Sequence, residues 1–441
     1  MSSEYINNCR HNYSMYVLRN RAFQSIADGL AAGSRRLMWV ARDGKVRKTA
    51  ALSGETMCLH PHAESNDTVN TLAKVYGNNV PLLTGSGSFG TRLKPEACGA
   101  PRYTSVESSA FAKDVLYCDI ELVPMIPNYD ATQSEPLHFL PLVPLVLINP
   151  SSGIGIGYAS SILPRDLTSV IEDQIRALED KKIKDAGIHF HPFSAKSTGV
   201  SVAKNGKPRW RFEGTFDLVN SQTIRITNLP YGVSHKDITE RVLSNLIEND
   251  TIVDFEDGSR DVIDILVKFK RGQIAKFTGP KLLETLGLVN HINENINILD
   301  FTGERLIVEP TYAEIVKSFT EWRLGWYVDR FERLKKSINV DIQRYRDILL
   351  AIAENAGGVA RTMESRLAFV TWLKQIGIVD VDYIAGLPVY RFTISEAKVI
   401  ENKLNAALEE LEGYESYLKD ETLRKKLYIK ELKDIAKKHG R

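Results

Sequence analysis

The sequence predicts a multidomain α+β protein, and three observations carry that expectation. Its 441 residues exceed what one hydrophobic core organises, about 250–300 residues. A middle region is rich in alternating, strand-type patterns, and from Ile315 onward apolar residues recur at helical steps. The 43% hydrophobic and 25% charged content is that of a folded globular chain and excludes wholesale disorder.

Residues 10–150 alternate short helical patterns with Gly/Pro breaks. This predicts a compact, helix-rich DNA-binding module of winged-helix type over 1–158, with a helix at 49–58. Within 159–308, residues 209–216 and 223–227 read as strands and Asn205-Gly206 as a hairpin turn, while 261–270 sets Ile263, Ile265, Val267 and Phe269 on one face. A separate α+β domain is expected there. In 309–441, Phe331, Leu334, Ile338, Ile342, Tyr345, Leu349 and Ile352 recur at three- and four-residue steps, and Leu404, Ala407, Leu411, Tyr414 and Leu418 repeat the pattern. The two helices are split by an insertion that begins at Gly357-Gly358, so the expectation is an antiparallel coiled coil with a small globular dimerisation knob at 353–398.

The wholly aliphatic and proline stretch 142–148 is far short of a membrane span, and the N-terminus has no basic-then-apolar leader pattern. Four cysteines without C-x-x-C spacing fit free thiols in a reducing compartment, so a cytoplasmic protein is expected. The net charge of +2 hides a local excess: residues 1–50 carry nine Lys/Arg against three Asp/Glu. Such an excess suggests a polyanion partner, and Arg35, Arg36, Arg42, Lys45, Arg47 and Lys48, leading into the helix at 49–58, are the candidate phosphate contacts. The alternative for these residues is a solvated helix face.

The most informative run is Ala100-Pro101-Arg102-Tyr103-Thr104, which sets a phenol nucleophile beside a permanent positive charge. A guanidinium that can pair with a phosphate oxygen, next to a hydroxyl that can attack phosphorus, suits transfer of a phosphodiester. By itself the pair also fits an exposed tyrosine in a Gly/Pro turn.

Further segments stand in order around it: Arg21-Ala22, Asp28-Gly29-Leu30, Ser34-Arg35-Arg36, His60-Pro61-His62, Gly85-Ser86-Gly87-Ser88-Phe89-Gly90, Asn128-Tyr129-Asp130, Ser151-Ser152-Gly153-Ile154-Gly155-Ile156-Gly157 and Ile226-Thr227-Asn228-Leu229-Pro230-Tyr231. With these the chain resembles the cleavage subunits of type IIA DNA topoisomerases. The resemblance implies that Tyr103 makes a transient double-strand break through a 5′-phosphotyrosyl intermediate, which permits strand passage and relaxation of DNA. It implies that Arg102 and Arg21 stabilise the transition state, that His60 and His62 stand beside the scissile phosphate, and that Ile154 wedges between base pairs. A buried isoleucine in a glycine-rich strand is the simpler reading of Ile154. The resemblance also makes the middle region a tower domain and the C-terminal helices an exit gate. In compact length the chain is most like the bacteriophage members, which would place it in the host cytoplasm.

The implied partners are double-stranded DNA, a second copy of the chain in a homodimer, and a separate ATPase/TOPRIM subunit that binds ATP and holds Mg²⁺. No metal ligands are expected in this chain and no membrane partner. Departures accompany the likeness. Ala31-Ala32-Gly33-Ser34 stands where the family often has Lys-Pro-Val-His, Ser86 replaces a usual Gln, and no DNA-wrapping β-propeller is expected.

Two motifs are decoys. Gly85-x-Gly87-x-x-Gly90 has the spacing of a dinucleotide fingerprint, but Pro95, Gly99 and Pro101 argue against the helix that the mechanism needs. Cys58, His60 and His62 alternate as on one strand face, yet lack a fourth ligand for zinc. Asp254, Glu256 and Asp257 read as an acidic turn, and no G-x-x-x-x-G-K-[ST] occurs. Two other function classes compete: a non-catalytic winged-helix DNA-binding protein with a coiled-coil dimerisation arm, and a tyrosine recombinase.

Overall fold

The computed structural model describes residues 2–61, 66–203 and 205–440. The chain is mixed α and β and divides into two compact units, Met1–Arg323 with Lys430–Arg441, and Leu324–Ile429. Among the described residues no helix is long and apolar enough to cross a membrane.

The N-terminal part of the first unit packs helices Ala32–Ala41, Thr49–Met57 and Asn66–Ala73 with a three-stranded antiparallel sheet. Its strand order is Arg47–Lys48, Ser105–Ser108, Leu83–Ser86. Val106 and Ser108 alternate inward from the central strand, and Leu37, Met38, Leu52, Val69 and Phe139 are buried in this part. The buried Ser108 and Tyr117 hydroxyls tie sheet and helix together by donating to the carbonyls of Ala41 (2.8 Å) and Met38 (2.6 Å).

Two four-stranded sheets follow. One runs Val289–Asn293, Pro208–Glu213, Ala195–Val202, His189–Phe190; the other runs Thr215–Leu218, Thr223–Asn228, Ile265–Phe269, Ile252–Asp257. The Asn205-Gly206 hairpin forms as expected: Gly206 takes φ +81° and the Ala203 amide donates to the Lys207 carbonyl at 2.8 Å. Ile263, Ile265, Val267 and Phe269 all face the second sheet's core, with Ile224 and Ile226. The strand expected at 209–216 is two strands in different sheets. Gly214 divides them, because its amide donates to the Leu288 carbonyl at 2.8 Å and a Cβ there would stand 2.5 Å from the Asn228 carbonyl oxygen. Asp254, Glu256 and Asp257 belong to the edge strand Ile252–Asp257 rather than to a turn.

The second unit contains most of helix Tyr312–Ala353, helix Ile394–Lys419 and, between them, helices Ala356–Thr362, Arg366–Gln375 and Val381–Ala385. Phe331 stacks on Tyr417 with ring centroids 4.4 Å apart, and Lys335 pairs with Glu415 at 2.7 Å, so the two long helices run antiparallel. Phe331, Ile342 and Ala407 are buried, whereas Leu334 of the same heptad series is exposed. The insertion has its own core of Ile348, Ala351, Ala356, Leu373, Ile378, Val381, Ile384 and Ile400. Asp347 pins its loop by accepting from the Val379 and Asp380 amides at 3.2 and 2.7 Å. The C-terminal helix is broken at Asp420, which turns extended and accepts from the Thr422 amide at 2.7 Å, so a third helix, Glu421–His439, begins there.

Candidate active site

Tyr103 lies on a tight turn in which its amide donates to the Ala100 carbonyl at 2.8 Å, and the side chain is 70% exposed. The Arg102 guanidinium carbon is 4.9 Å from the Tyr103 ring centroid, so charge and phenol form one surface. The turn is held by the helix beside it. The carbonyls of Thr104 and Pro101 accept from the Thr49 and Ala50 amides at 3.1 and 3.2 Å, which occupies donors that the N-terminus of helix Thr49–Met57 would otherwise leave open. The buried Thr49 and Thr104 hydroxyls are 2.7 Å apart beneath it.

The glycine-rich loop underlies the same turn. A Cβ on Gly87 or Gly99 would stand 3.2 or 3.1 Å from the Thr104 Cγ2, and the Gly99 amide donates to the Ser88 carbonyl at 2.8 Å. No helix opens at these glycines; Leu83–Ser86 is a strand and the following residues form an irregular loop, which disposes of the dinucleotide reading.

The basic segment behaves differently from the expected phosphate-contact patch. Arg35 is buried, its Nε and Nη2 donating to the Asp28 carboxylate at 2.6 and 2.9 Å. Arg36 is buried in a two-pronged pair with Glu135, at 2.6 and 2.8 Å, and reaches Asn20 Oδ1 at 3.3 Å. Both guanidinium groups, expected among the DNA contacts, are held by carboxylates of the chain itself in this structure. Their carboxylate partners satisfy the cost of burying the charges and fix the N-terminal turn.

Arg47 is held between Asp43 (2.6 Å) and Glu55 (3.1 Å), and Arg47 in turn keeps the Asp43 carboxyl well below its ordinary range. Arg42 is exposed but folded over Trp39, 3.8 Å from the ring centroid. Lys45 is exposed, 3.4 Å from Asp43. Lys48 alone of the six touches the tyrosine turn: its exposed ammonium donates to the Tyr103 carbonyl at 3.3 Å.

Arg21 is exposed on the helical turn Leu18–Ala22. It lines a cleft of about 600 Å³ with Gln24, Ser34, Thr71, Ser151 and Ser152, and neither Arg102 nor Tyr103 lines that cleft. Against the turn lies the hairpin Ser151–Ile154/Ala159–Ile162, where a Cβ on Gly155 would stand 2.2 Å from the Leu18 Cδ2. Ile154 ends its first strand with the side chain 87% exposed, so the expectation of a buried isoleucine does not hold.

His60 is buried, its Nε2 3.3 Å from the Tyr16 hydroxyl and its ring edge-on to Tyr129 at 5.1 Å. Cys58 and His60 do not share a strand face: Cys58 caps helix Thr49–Met57 and His60 follows in a turn. His60 and the Tyr103 turn therefore sit at opposite ends of that helix, separated by roughly 13 Å of helical rise. His62 lies outside the described residues. Among the described residues no group of three or more His, Cys, Asp or Glu side chains could hold a metal ion. Arg92, which sequence reasoning passed over, emerges as an anchor of the loop leading to Tyr103, its Nη2 donating to Asn228 Oδ1 at 2.6 Å; nothing in its local pattern signals that role.

The chain is 27% identical to the DNA topoisomerase medium subunit of Enterobacteria phage T4 over 92% of either chain. It is 24% identical to the DNA gyrase A subunit of Chlamydia pneumoniae across 97% of its own length, and 30% identical to that of Haloquadratum walsbyi across 69%. It spans about half, 55%, of the Chlamydia protein and 38% of the Haloquadratum one. The model of the DNA gyrase/topoisomerase IV A-subunit family matches residues 21–433, and the chain belongs to that family.

Proposed function

We propose that this chain is the DNA cleavage and rejoining subunit of an ATP-dependent type IIA topoisomerase. The observation that carries the reading is the exposed Arg102-Tyr103 pair, rigidly held on a turn docked to the start of helix Thr49–Met57. In the proposed step the Tyr103 oxygen attacks a backbone phosphorus, a P–O bond to tyrosine forms, the bond to the 3′ oxygen breaks, and a 3′ hydroxyl leaves with a proton. The energy of the ester is kept, so the reverse attack reseals the strand. Arg102 neutralises charge that develops on the phosphoryl oxygens.

The winged-helix part, with Arg42, Lys45 and Lys48 on its surface, forms the DNA platform, and the sheets of 159–308 extend it as the tower. Ile154, projecting from its hairpin, is the wedge that unstacks a base step. Arg21 and His60 act at the phosphate once DNA is bound. The helices and knob of 309–441 form the exit gate of a homodimer whose two tyrosines cut opposite strands. In keeping with the resemblance to type IIA enzymes, the metal and the nucleotide are assigned to a partner TOPRIM/ATPase polypeptide, in the cytoplasm of the host cell.

The test is Tyr103→Phe, which removes one oxygen. Detergent-trapped covalent DNA adducts should vanish while duplex affinity stays within about twofold. Adducts from the variant would exclude Tyr103 as the nucleophile. Adducts attached through the 3′ end would favour a recombinase, and DNA binding without adducts from the parent protein and its partner would favour a non-catalytic binder.

A further inference from the structure

Between the glycine-rich loop and the tyrosine turn the chain makes a detour, residues 91–99, with no regular secondary structure beyond a single bridge at Cys98. It is nevertheless tightly bonded. The Thr91 amide donates to the Lys94 carbonyl at 3.1 Å, and the Lys94 amide returns a 3.1 Å bond to Thr91 Oγ1. The Tyr76 hydroxyl lies 3.3 and 3.2 Å from the carbonyls of Phe89 and Pro95, and a Cβ on Gly90 would stand 2.8 Å from that hydroxyl. Ser88 Oγ donates to the Ala97 carbonyl at 2.6 Å, and Phe89 bridges to Cys98. A loop so closed on itself moves as a body.

One edge of this body is inserted elsewhere. Leu93 packs against the core of the sheet built from Thr215–Leu218, Thr223–Asn228, Ile265–Phe269 and Ile252–Asp257. Arg92 Nη2 donates to Asn228 Oδ1 at 2.6 Å and to the Leu229 carbonyl at 3.3 Å, at the end of strand Thr223–Asn228. Burial pulls the Arg92 guanidinium down to about 10, which leaves it charged at neutral pH. A desolvated cation bonded this way gives up its acceptors at a cost. The other edge ends at Gly99, against Thr104 and the turn that carries Tyr103.

We propose that Arg92 and Leu93 form a clip through which the four-stranded sheet sets the position of the Tyr103 turn, making Arg92 a positioning residue for phosphoryl transfer. The inference rests on Tyr103 being the nucleophile. Arg92 touches neither the nucleophile nor the phosphate in this assignment. It acts by fixing the loop between sheet and turn, and displacement of an attacking atom by about 1 Å costs roughly a hundredfold in rate.

The experiment uses the full chain with its TOPRIM/ATPase partner, Mg²⁺ and a labelled linear duplex, and measures single-turnover formation of covalent adducts alongside DNA affinity. Arg92→Ala should lower the cleavage rate about ten- to a hundredfold with affinity changed less than twofold. Arg92→Lys, able to keep one of the two bonds, should recover part of the rate, and Arg92→Ala combined with Asn228→Ala should be no slower than Arg92→Ala alone. Adducts persisting in Tyr103→Phe would overturn the assignment of the nucleophile, and the clip with it. With Tyr103→Phe inactive, an Arg92→Ala rate within twofold of the parent overturns the clip alone, as does an equal loss of rate and affinity. Should Arg92→Ala fail to fold, Asn228→Ala, which keeps the guanidinium but removes its Oδ1 acceptor together with that oxygen's 3.0 Å bond from the Leu229 amide, decides the same question: slower cleavage at unchanged affinity supports the clip, and an unchanged rate overturns it.

Discussion

Gly153 packs so closely on Ala22 that a Cβ at position 153 would stand 1.9 Å from the Ala22 carbonyl oxygen. This contact seats the hairpin that carries Ile154 on the turn that carries Arg21, so the two side chains are presented from one rigid surface. Gly153→Ala must push the hairpin away from that turn. It should cost about 1–3 kcal/mol of stability, measurable as a lowered Tm. Ile154→Ala should leave stability within about 0.5 kcal/mol, because the side chain is exposed, yet reduce the bend of bound duplex in an end-to-end energy-transfer measurement. An unchanged bend would remove Ile154 from the wedge role.

Asp28 accepts from four donors: two on Arg35, the Leu30 amide at 3.1 Å and the Phe139 amide at 3.1 Å. Arg35→Ala strands a fully buried carboxylate and should destabilise the protein by about 3–5 kcal/mol, read by denaturant unfolding. Lys48→Ala removes an exposed ammonium and should leave the unfolding midpoint unchanged while flattening the salt dependence of DNA binding by about one counterion. A stable Arg35→Ala protein with weakened DNA binding would put Arg35 at the DNA interface.

Arg35 and Arg36 show where sequence reading stops. Charge density is visible in a sequence, but the carboxylates that claim the charge are not: Asp28 is seven residues away and Glu135 is 99. The nucleophile candidate was legible because Arg102 and Tyr103 are adjacent and their chemistry is local, and the face Ile263, Ile265, Val267, Phe269 because strand alternation is local too. The division of 209–216 at Gly214 depends on the Leu288 and Asn228 carbonyls, which are brought in by tertiary packing. The exposure of Ile154 follows from a hairpin docking on glycines, which a pattern of apolar residues alone does not encode.

Two histidines set an acid limit. Burial pushes His138 below its ordinary 6.5, and burial together with the neighbouring His191 does the same to His189. Both rings are neutral in the fold at pH 7. As pH falls through 6.5 the unfolded chain takes up protons that the native state refuses, so stability contributed above that pH is lost going down. The lowered carboxylates, such as Asp166, lose their contribution only at lower pH, near and below 3.8. Tm should therefore fall between pH 7.5 and 5.5, and less steeply in His138→Gln. A flat profile in the parent protein would show that neither ring resists protonation.

The knob between the long helices exposes Leu367, Val389, Tyr390 and Ile394, while its own core is already closed around Leu373, Ile384 and Ile400. Large apolar side chains left outside a completed core are candidates for association, and the proposed double-strand break needs two copies of Tyr103 related by a twofold axis. Leu367→Asp with Ile394→Asp alters only exposed positions, so the unit should fold. Sedimentation at micromolar concentration should show the parent chain as a dimer and the double variant shifted toward monomer, with duplex affinity per chain retained. A parent chain that stays monomeric both free and on DNA with its partner present would make these helices an ordinary arm, and the exit-gate assignment would go with it.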